Sequence, residues 1–228
     1  YGNIAKAFMV QDDQLNESMG LEQQEKKITI EDVGKSIKSI SVRIPNPLAM
    51  NLYTFGYNSN KKLESLNQIV KENLKTYLSQ YRLVTDAINI KDAYVINIAV
   101  NFAILTKIGF NKNDVLLRCV ATVKDFFDID RWQIGQPIVL SDISYELSLV
   151  DGVASIVAPR ENNPSNLPIL VENKYKTTDG YSGNFYDINS GLIEGILYPA
   201  LDPSIFEVKY PNDDIKGKVL GDNLGIME

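Results

Sequence analysis

The sequence predicts an α+β fold: a ferredoxin-like βαββαβ layer, with an N-terminal strand and loop arm before it and a β-rich C-terminal extension after it. Three observations carry that prediction. Ile96, Ile98, Val100, Phe102 and Ile104 alternate with Asn97, Ala99, Asn101 and Ala103, the period of two that marks a strand. Val115, Leu116, Cys119, Val120, Val123, Phe126 and Phe127 recur at helical spacing. From Leu48 onward the elements run strand, helix, strand, strand, helix, short helix, strand.

The chain opens Tyr1-Gly2-Asn3 rather than on Met, which points to a fragment of a longer chain. Ile4 to Val10 reads as a first strand. Gln11 to Lys27 is polar and without a sustained period, so a loop or mobile arm is expected. Ile28–Ile30 and Ile37–Ile44 read as short edge strands, and Pro45-Asn46-Pro47 ends this first region, residues 1–47.

Residues 48–159 are expected to form the α+β domain. Leu48 to Tyr57 is a strand with Tyr53, Phe55 and Tyr57 on one face. A helix is expected from near Asn60 to about Ser79. Leu63, Leu66, Ile69, Val70, Tyr77 and Leu78 lie on its apolar face, and Lys62, Glu64, Lys71, Glu72 and Lys75 lie opposite. Arg82 to Ile90 is the next strand, Lys91-Asp92 a tight turn, and Tyr94 to Leu105 the strand of strict alternation. A one-residue slip there would expose five large apolar side chains, so its register should be well specified. Gly109 breaks it. Asn111 caps the following helix, and Asp114 suits the positive end of the helix dipole. Ser141 is expected to cap a short helix with Ile143, Leu147 and Val150 inward, followed by a turn at Asp151-Gly152 and a strand at Val153–Val157. Ile98, Phe102, Val120, Phe126 and Leu66 should be core.

After Pro159 the texture changes. Arg160 to Asn166 reads as a linker, and 160–228 as a β-rich extension. Asp179-Gly180 is a turn signal. Leu192–Tyr198, Ile205–Tyr210 and Lys216–Leu220 read as strands kept short by Pro199, Pro203 and Pro211.

Composition removes several function classes. Histidine is absent, which excludes Ser-His-Asp and Cys-His catalysis, His-ligated zinc and a His general base. The single cysteine, Cys119, supports neither a disulfide framework nor a C-x-x-C pair, and its place in the helical stripe marks it as a core residue. With 23 Lys+Arg against 29 Asp+Glu the net charge is −6, which lacks the footprint of a nucleic-acid binder. No apolar window is long enough to insert in a membrane. Gly180 and Gly183 do not sit between a strand and a helix, so no nucleotide cofactor is expected. Asp125, Asp128 and Asp130 miss the calcium-loop spacing, with Trp132 where a ligand is needed, so no metal is expected. Asp12-Asp13 and Asp213-Asp214 read as loop charges, and Lys61, Lys62, Lys71 and Lys75, interleaved with Glu64 and Glu72, as a solvated face. The expectation is a protein that is not an enzyme and holds no cofactor.

One feature stands out. The extension carries many rings on segments too short to bury them all. Tyrosine joins apolar area to a polar handle and is favoured at interfaces. Tyr181, Phe185, Tyr186, Tyr198 and Phe206 are the candidate interface residues, against another copy or a neighbouring protein.

Four strings carry a family resemblance: Arg43 to Tyr53 (RIPNPLAMNLY), Tyr77 to Ile88 (YLSQYRLVTDAI), Asp130 to Ile138 (DRWQIGQPI) and Val150 to Ile156 (VDGVASI). Together they resemble the baseplate wedge protein of T-even contractile-tailed phages, the inner-ring subunit of the baseplate-J-like group, over its C-terminal part. The resemblance implies a structural virion protein of the tail baseplate, assembled in the host cytoplasm. It implies a homodimer, a ring of such dimers, contacts to other wedge proteins, and rearrangement when the baseplate opens and the sheath contracts. The alternative from another class is a carbohydrate-binding or carbohydrate-cleaving tail module using surface aromatics and paired acids.

Overall fold

The computed structural model describes residues 4–11, 49–81, 87–159, 167–200 and 202–220. The expected strands at 28–30 and 37–44, the polar stretch from 12 onward, the start of the strand expected at 82–90 and the linker 160–166 lie outside them. In chain order the strands and main helices are β1 (Ile4–Gln11), β2 (Ala49–Tyr57), β3 (Leu63–Glu64), α1 (Gln68–Ser79), β4 (Ala87–Asp92), β5 (Tyr94–Thr106), α2 (Lys112–Phe126), β6 (Ile138–Val139), α3 (Leu140–Leu149), β7 (Val153–Val157), β8 (Ile169–Asn173), β9 (Leu192–Ile193), β10 (Ile196–Leu197), β11 (Ser204–Glu207) and β12 (Ile215–Val219). The chain is mixed α and β, and it divides into two compact units: Tyr1–Gly56 with Ser65–Asp92, and Tyr57–Glu64 with Ala93–Glu228.

In the first unit β2 pairs antiparallel with β1, Phe8 opposite Tyr53, and parallel with β4, Leu52 opposite Ile90. A parallel neighbour needs a crossover, and α1 supplies it. Asn67 caps α1, its side chain accepting from the Ile69 N–H at 3.1 Å. The helix therefore begins well after Asn60. Upstream, the Asn58 side chain accepts from the N–H groups of Asn60 and Lys62 at 2.9 and 3.0 Å, closing a loop with Lys61 at φ 56° that no helix contains. Leu63, expected on the helix, lies instead in β3. Of the α1 face only Leu74 is fully buried, and the Lys71 ammonium meets the Asp92 carboxylate at 2.6 Å.

The second unit is built on β5. Its thirteen residues pair antiparallel with β7 and β8, Ile104 opposite Ile156 and Val100 opposite Val171. They pair parallel with β11 and β12, Ile96 opposite Phe206 and Phe102 opposite Gly217. α2 packs on β12 and on α3, which in turn packs on β7 and β8. Gly217 has to be small: a Cβ there would lie 2.5 Å from Leu116 and 2.6 Å from the Phe102 ring. The core holds Ile98, Phe102, Cys119, Val123, Ile143 and Leu147, while Val120 and Phe126 are only half-buried. Burial pushes the Cys119 thiol pKa up to about 11. Trp132 is buried, stacks on Phe127 at 5.6 Å and donates its indole N–H to the Phe126 carbonyl at 3.0 Å.

Apart from the two-residue strands β3 and β6, the element order between residues 49 and 157 follows the expected strand-helix-strand-strand-helix-helix-strand series, but the pairing is not that of a ferredoxin-like sheet. β2 lies directly beside β4, and β5 takes its neighbours from β7, β8, β11 and β12. The cause is local. Lys91 and Asp92, expected as a turn, are the last residues of β4, and only Ala93 separates them from β5. One residue cannot reverse an antiparallel pair, since the tightest common hairpin needs two. The extension does not stand apart from this sheet, since β8, β11 and β12 complete it. Two smaller differences concern caps and turns. α3 starts at Leu140, one residue ahead of the expected Ser141 cap, with no side-chain cap bond. The stretch expected as one strand from Leu192 to Tyr198 is a hairpin, turned by Glu194 at φ 51° and Gly195 at φ 81°.

Candidate functional site

The aromatic surface of the extension is held by β5. Its segment 174–186 contains only one short turn of 3-10 helix, Thr177–Asp179, ended by Gly180 at φ 83°. Polar side chains do the fastening. Asn97, buried on β5, donates its Nδ2 to the Glu207 carboxylate at 2.8 Å and accepts from the Ser182 N–H at 2.8 Å. Its backbone carbonyl accepts from the Lys174 N–H at 2.8 Å and from Asn173 Nδ2 at 3.1 Å. The Val95 carbonyl accepts from the Ser182 hydroxyl at 2.8 Å and from Asn184 Nδ2 at 2.9 Å. Asn173 Oδ1 then accepts from the Tyr186 N–H at 3.0 Å. Glu207, also buried, accepts at its other oxygen from the Leu63 N–H at 3.0 Å. Burial raises its carboxyl pKa above the ordinary Glu value, against the downward pull of the Leu63 and Asn97 donors and of Lys62 and Lys209.

The five candidate interface residues fall into three places. Phe206 is in the core, 1% exposed, and leaves the surface set: it sits on β11 beside Ile96. Tyr186 is half-buried, its ring edge-on to Phe206 at 5.8 Å and its hydroxyl donating to the Tyr198 carbonyl. Burial and the nearby Asp187 raise its phenol pKa. Tyr198 is 44% and Phe185 69% exposed, and Phe185 stands edge-on to Tyr175 at 5.2 Å. Tyr181 lies elsewhere. It is half-buried, its ring edge-on to Tyr210 at 5.5 Å and its hydroxyl donating to Asp214 at 2.6 Å, and burial with that bond raises its pKa. Tyr175, Phe185, Tyr186 and Tyr198 therefore make the exposed aromatic face.

A groove of about 440 Å³ adjoins it, lined by Leu140, Ile169, Val171, Leu192 and Leu197 together with Tyr175, Phe185 and Tyr186. The ionisable side chains in its lining other than tyrosine are Glu172 and Asp187, with no Lys or Arg among the described residues. Glu172 is paired with Lys174 at 3.6 Å. Asp187 is fully exposed, and the Ser190 hydroxyl, helped by the N–H groups of Asn189 and Ser190, holds its carboxyl below the ordinary range, so it is ionised at neutral pH.

Other acids have local duties. Asp128 accepts from the Asp130 N–H at 3.2 Å, Asp125 pairs with Arg131 at 3.0 Å, and Asp130 accepts from the Tyr57 hydroxyl at 2.6 Å. Burial and that bond raise the Tyr57 pKa to about 12. Among the described residues no three Asp, Glu or Cys side chains converge as metal ligands would. Asp214, read from sequence as a loop charge, is 2% exposed and accepts from both the Tyr181 hydroxyl and the Tyr210 N–H. Sequence reasoning also missed Asn97 and Glu207. The available signal was the second face of β5: Asn97, Ala99, Asn101 and Ala103 are small and uncharged, unlike a water-facing stripe.

No family model matches the chain, and no curated protein matches it.

Proposed function

We propose that this chain is a non-catalytic structural subunit of a contractile phage tail baseplate, assembling with copies of itself and with neighbouring wedge proteins. Two lines support the reading: the four-string resemblance, and the aromatic face. The observation that carries it is that face: Tyr198 is 44% exposed, and Phe185, 69% exposed, lies on a segment stitched to the central strand. Large rings fixed in water lose little freedom on binding, which favours a protein interface. The ring of paired copies, the contacts to other wedge proteins and the place in the virion are part of the same proposal. A carbohydrate module has less support, because the single tryptophan is buried in the core and offers no sugar platform.

Sedimentation of the chain across micromolar concentrations tests the reading. A two-fold pair burying roughly 1,200 Å² or more in total is expected. A monomer of 25.6 kDa at every concentration would refute it.

A further inference from the structure

The turn after β5 holds an isoleucine out in water, and holds it firmly. Ile108 is 99% exposed. On one side of it the Lys107 N–H donates to the Gly152 carbonyl at 2.8 Å. On the other, the Phe110 N–H closes the turn onto the Lys107 carbonyl at 3.3 Å, with Gly109 at φ 91°. The Phe110 ring lies against Gly152, where a Cβ would stand 2.7 Å from it. Lys107 and Lys112, both exposed, flank the tip. A lone exposed apolar side chain is ordinary on a protein surface. One carried on a tied turn, with a lysine on each side of it along the chain, is a preorganised anchor.

The groove beside the aromatic face has the complementary chemistry. It is apolar, it carries the ionised Asp187 and no cation among its described lining residues. A sealed apolar cavity of roughly 150 Å³ admits a benzene, so about 440 Å³ has room for the Ile108 side chain with a ring beside it.

We propose that the Lys107–Lys112 turn of one copy docks Ile108 into this groove on a second copy, with Lys107 or Lys112 set beside Asp187. The inference rests on the reading that the chain assembles with itself, and it adds a contact of another kind. Tip and groove are different surfaces, so the contact is head-to-tail: two copies so joined keep one free tip and one free groove between them, and repetition closes a ring or extends a filament. A two-fold pair alone does neither, because a ring of pairs needs a second contact to join each pair to the next.

Complementation tests it on the full chain. Ile108→Asp removes the anchor and leaves the groove; Phe185→Asp spoils the groove rim and leaves the anchor. Both sites are exposed, and far-UV circular dichroism with a thermal melt confirms folding. Each variant alone is expected to lose the larger species in sedimentation, with head-to-tail affinity at least tenfold weaker. Mixed one to one they should regain a single contact, because the Phe185→Asp chain still offers its tip to the Ile108→Asp chain's groove. If Phe185→Asp fails to fold, chains carrying Ile108→Cys and Phe185→Cys are mixed and oxidised. A disulfide between the two variants supports the contact, and buried Cys119 stays out of the reaction. Association of Ile108→Asp equal to the unmodified chain, or a mixture no larger than its parts, overturns it. Two-fold pairing that survives in Ile108→Asp separates this contact from the broader reading, and an unmodified chain that is monomeric throughout overturns both.

Discussion

Residues 93–159 and residues 167–220 share two sheets, the one on β5 and the small one of β6, β10 and β9, and reach burial by different routes. The first region does it with periodic apolar stripes: Phe102 and Ile98 on β5, Cys119 and Val123 on α2, Ile143 and Leu147 on α3. The second has strands of two to five residues and one-turn helices at Ile188–Gly191 and Pro211–Asp214. Its loops are placed by side chains that bond β5, chiefly Ser182, Asn184 and Asn173 onto Asn97 and Val95. A segment without a period can still be well placed if a long, rigid strand offers acceptors in its path. The cost is concentration of risk, since a buried polar network is only as sound as its least satisfied member.

Breaking the first region should have the largest effect. Phe102→Ala is expected to lose about 3–5 kcal/mol of stability in urea unfolding, with hydrogen-exchange protection falling throughout the second unit. Breaking the second region at Asn97→Ala should cost less, about 1–3 kcal/mol for the Glu207 oxygen left without its donor. Its exchange signature should be local: amides of 174–186 lose protection while α2 keeps it. Equal loss in both places would show that the two regions do not differ as described. Gly152→Ala should come next, at more than about 1 kcal/mol. That residue sits at φ 94°, and a Cβ there would lie 2.7 Å from both Phe110 and Val115.

Smaller still is a pH effect from Glu207. Its folded pKa is raised above the ordinary value of 4.5, so its contribution to stability is full below that value and is lost as pH rises through the raised one. This slope opposes that of an ion-paired carboxylate. Glu207→Gln should flatten stability against pH in the window above 4.5, measured by urea titration at several pH values. An unchanged slope would count against the burial argument. The smallest effect concerns Cys119. Buried and with its pKa near 11, its thiol should react with a disulfide reagent at pH 8 only when the chain is unfolded.

How much could be read in advance follows the same division. The strand at Tyr94–Leu105, the Asn111 cap, the buried Cys119 and the strand at Val153–Val157 were all legible, because each rests on a period or a cap within a few residues. The start of α1 was misplaced because Leu63 and Leu66 fit a helical period by chance, and the Asn58 loop overrode it. Of the aromatic set named as candidate interface residues, Phe185 and Tyr198 are exposed, while Phe206 is buried, since its neighbours on β5 lie over a hundred residues away.

What the sequence determined by itself was local: a mixed α and β chain, the apolar faces of β5, α2 and α3, and an aromatic-rich extension. What only the tertiary structure decided was long-range. It set β11 and β12 parallel to β5, buried Asn97, Glu207 and Asp214 as polar anchors, and left Ile108 in water. The physical reason is that a period of two or 3.6 encodes which way a side chain faces within its own element. Which strand pairs with which, and which polar groups meet in the interior, depends on partners far along the chain whose identity no local pattern contains.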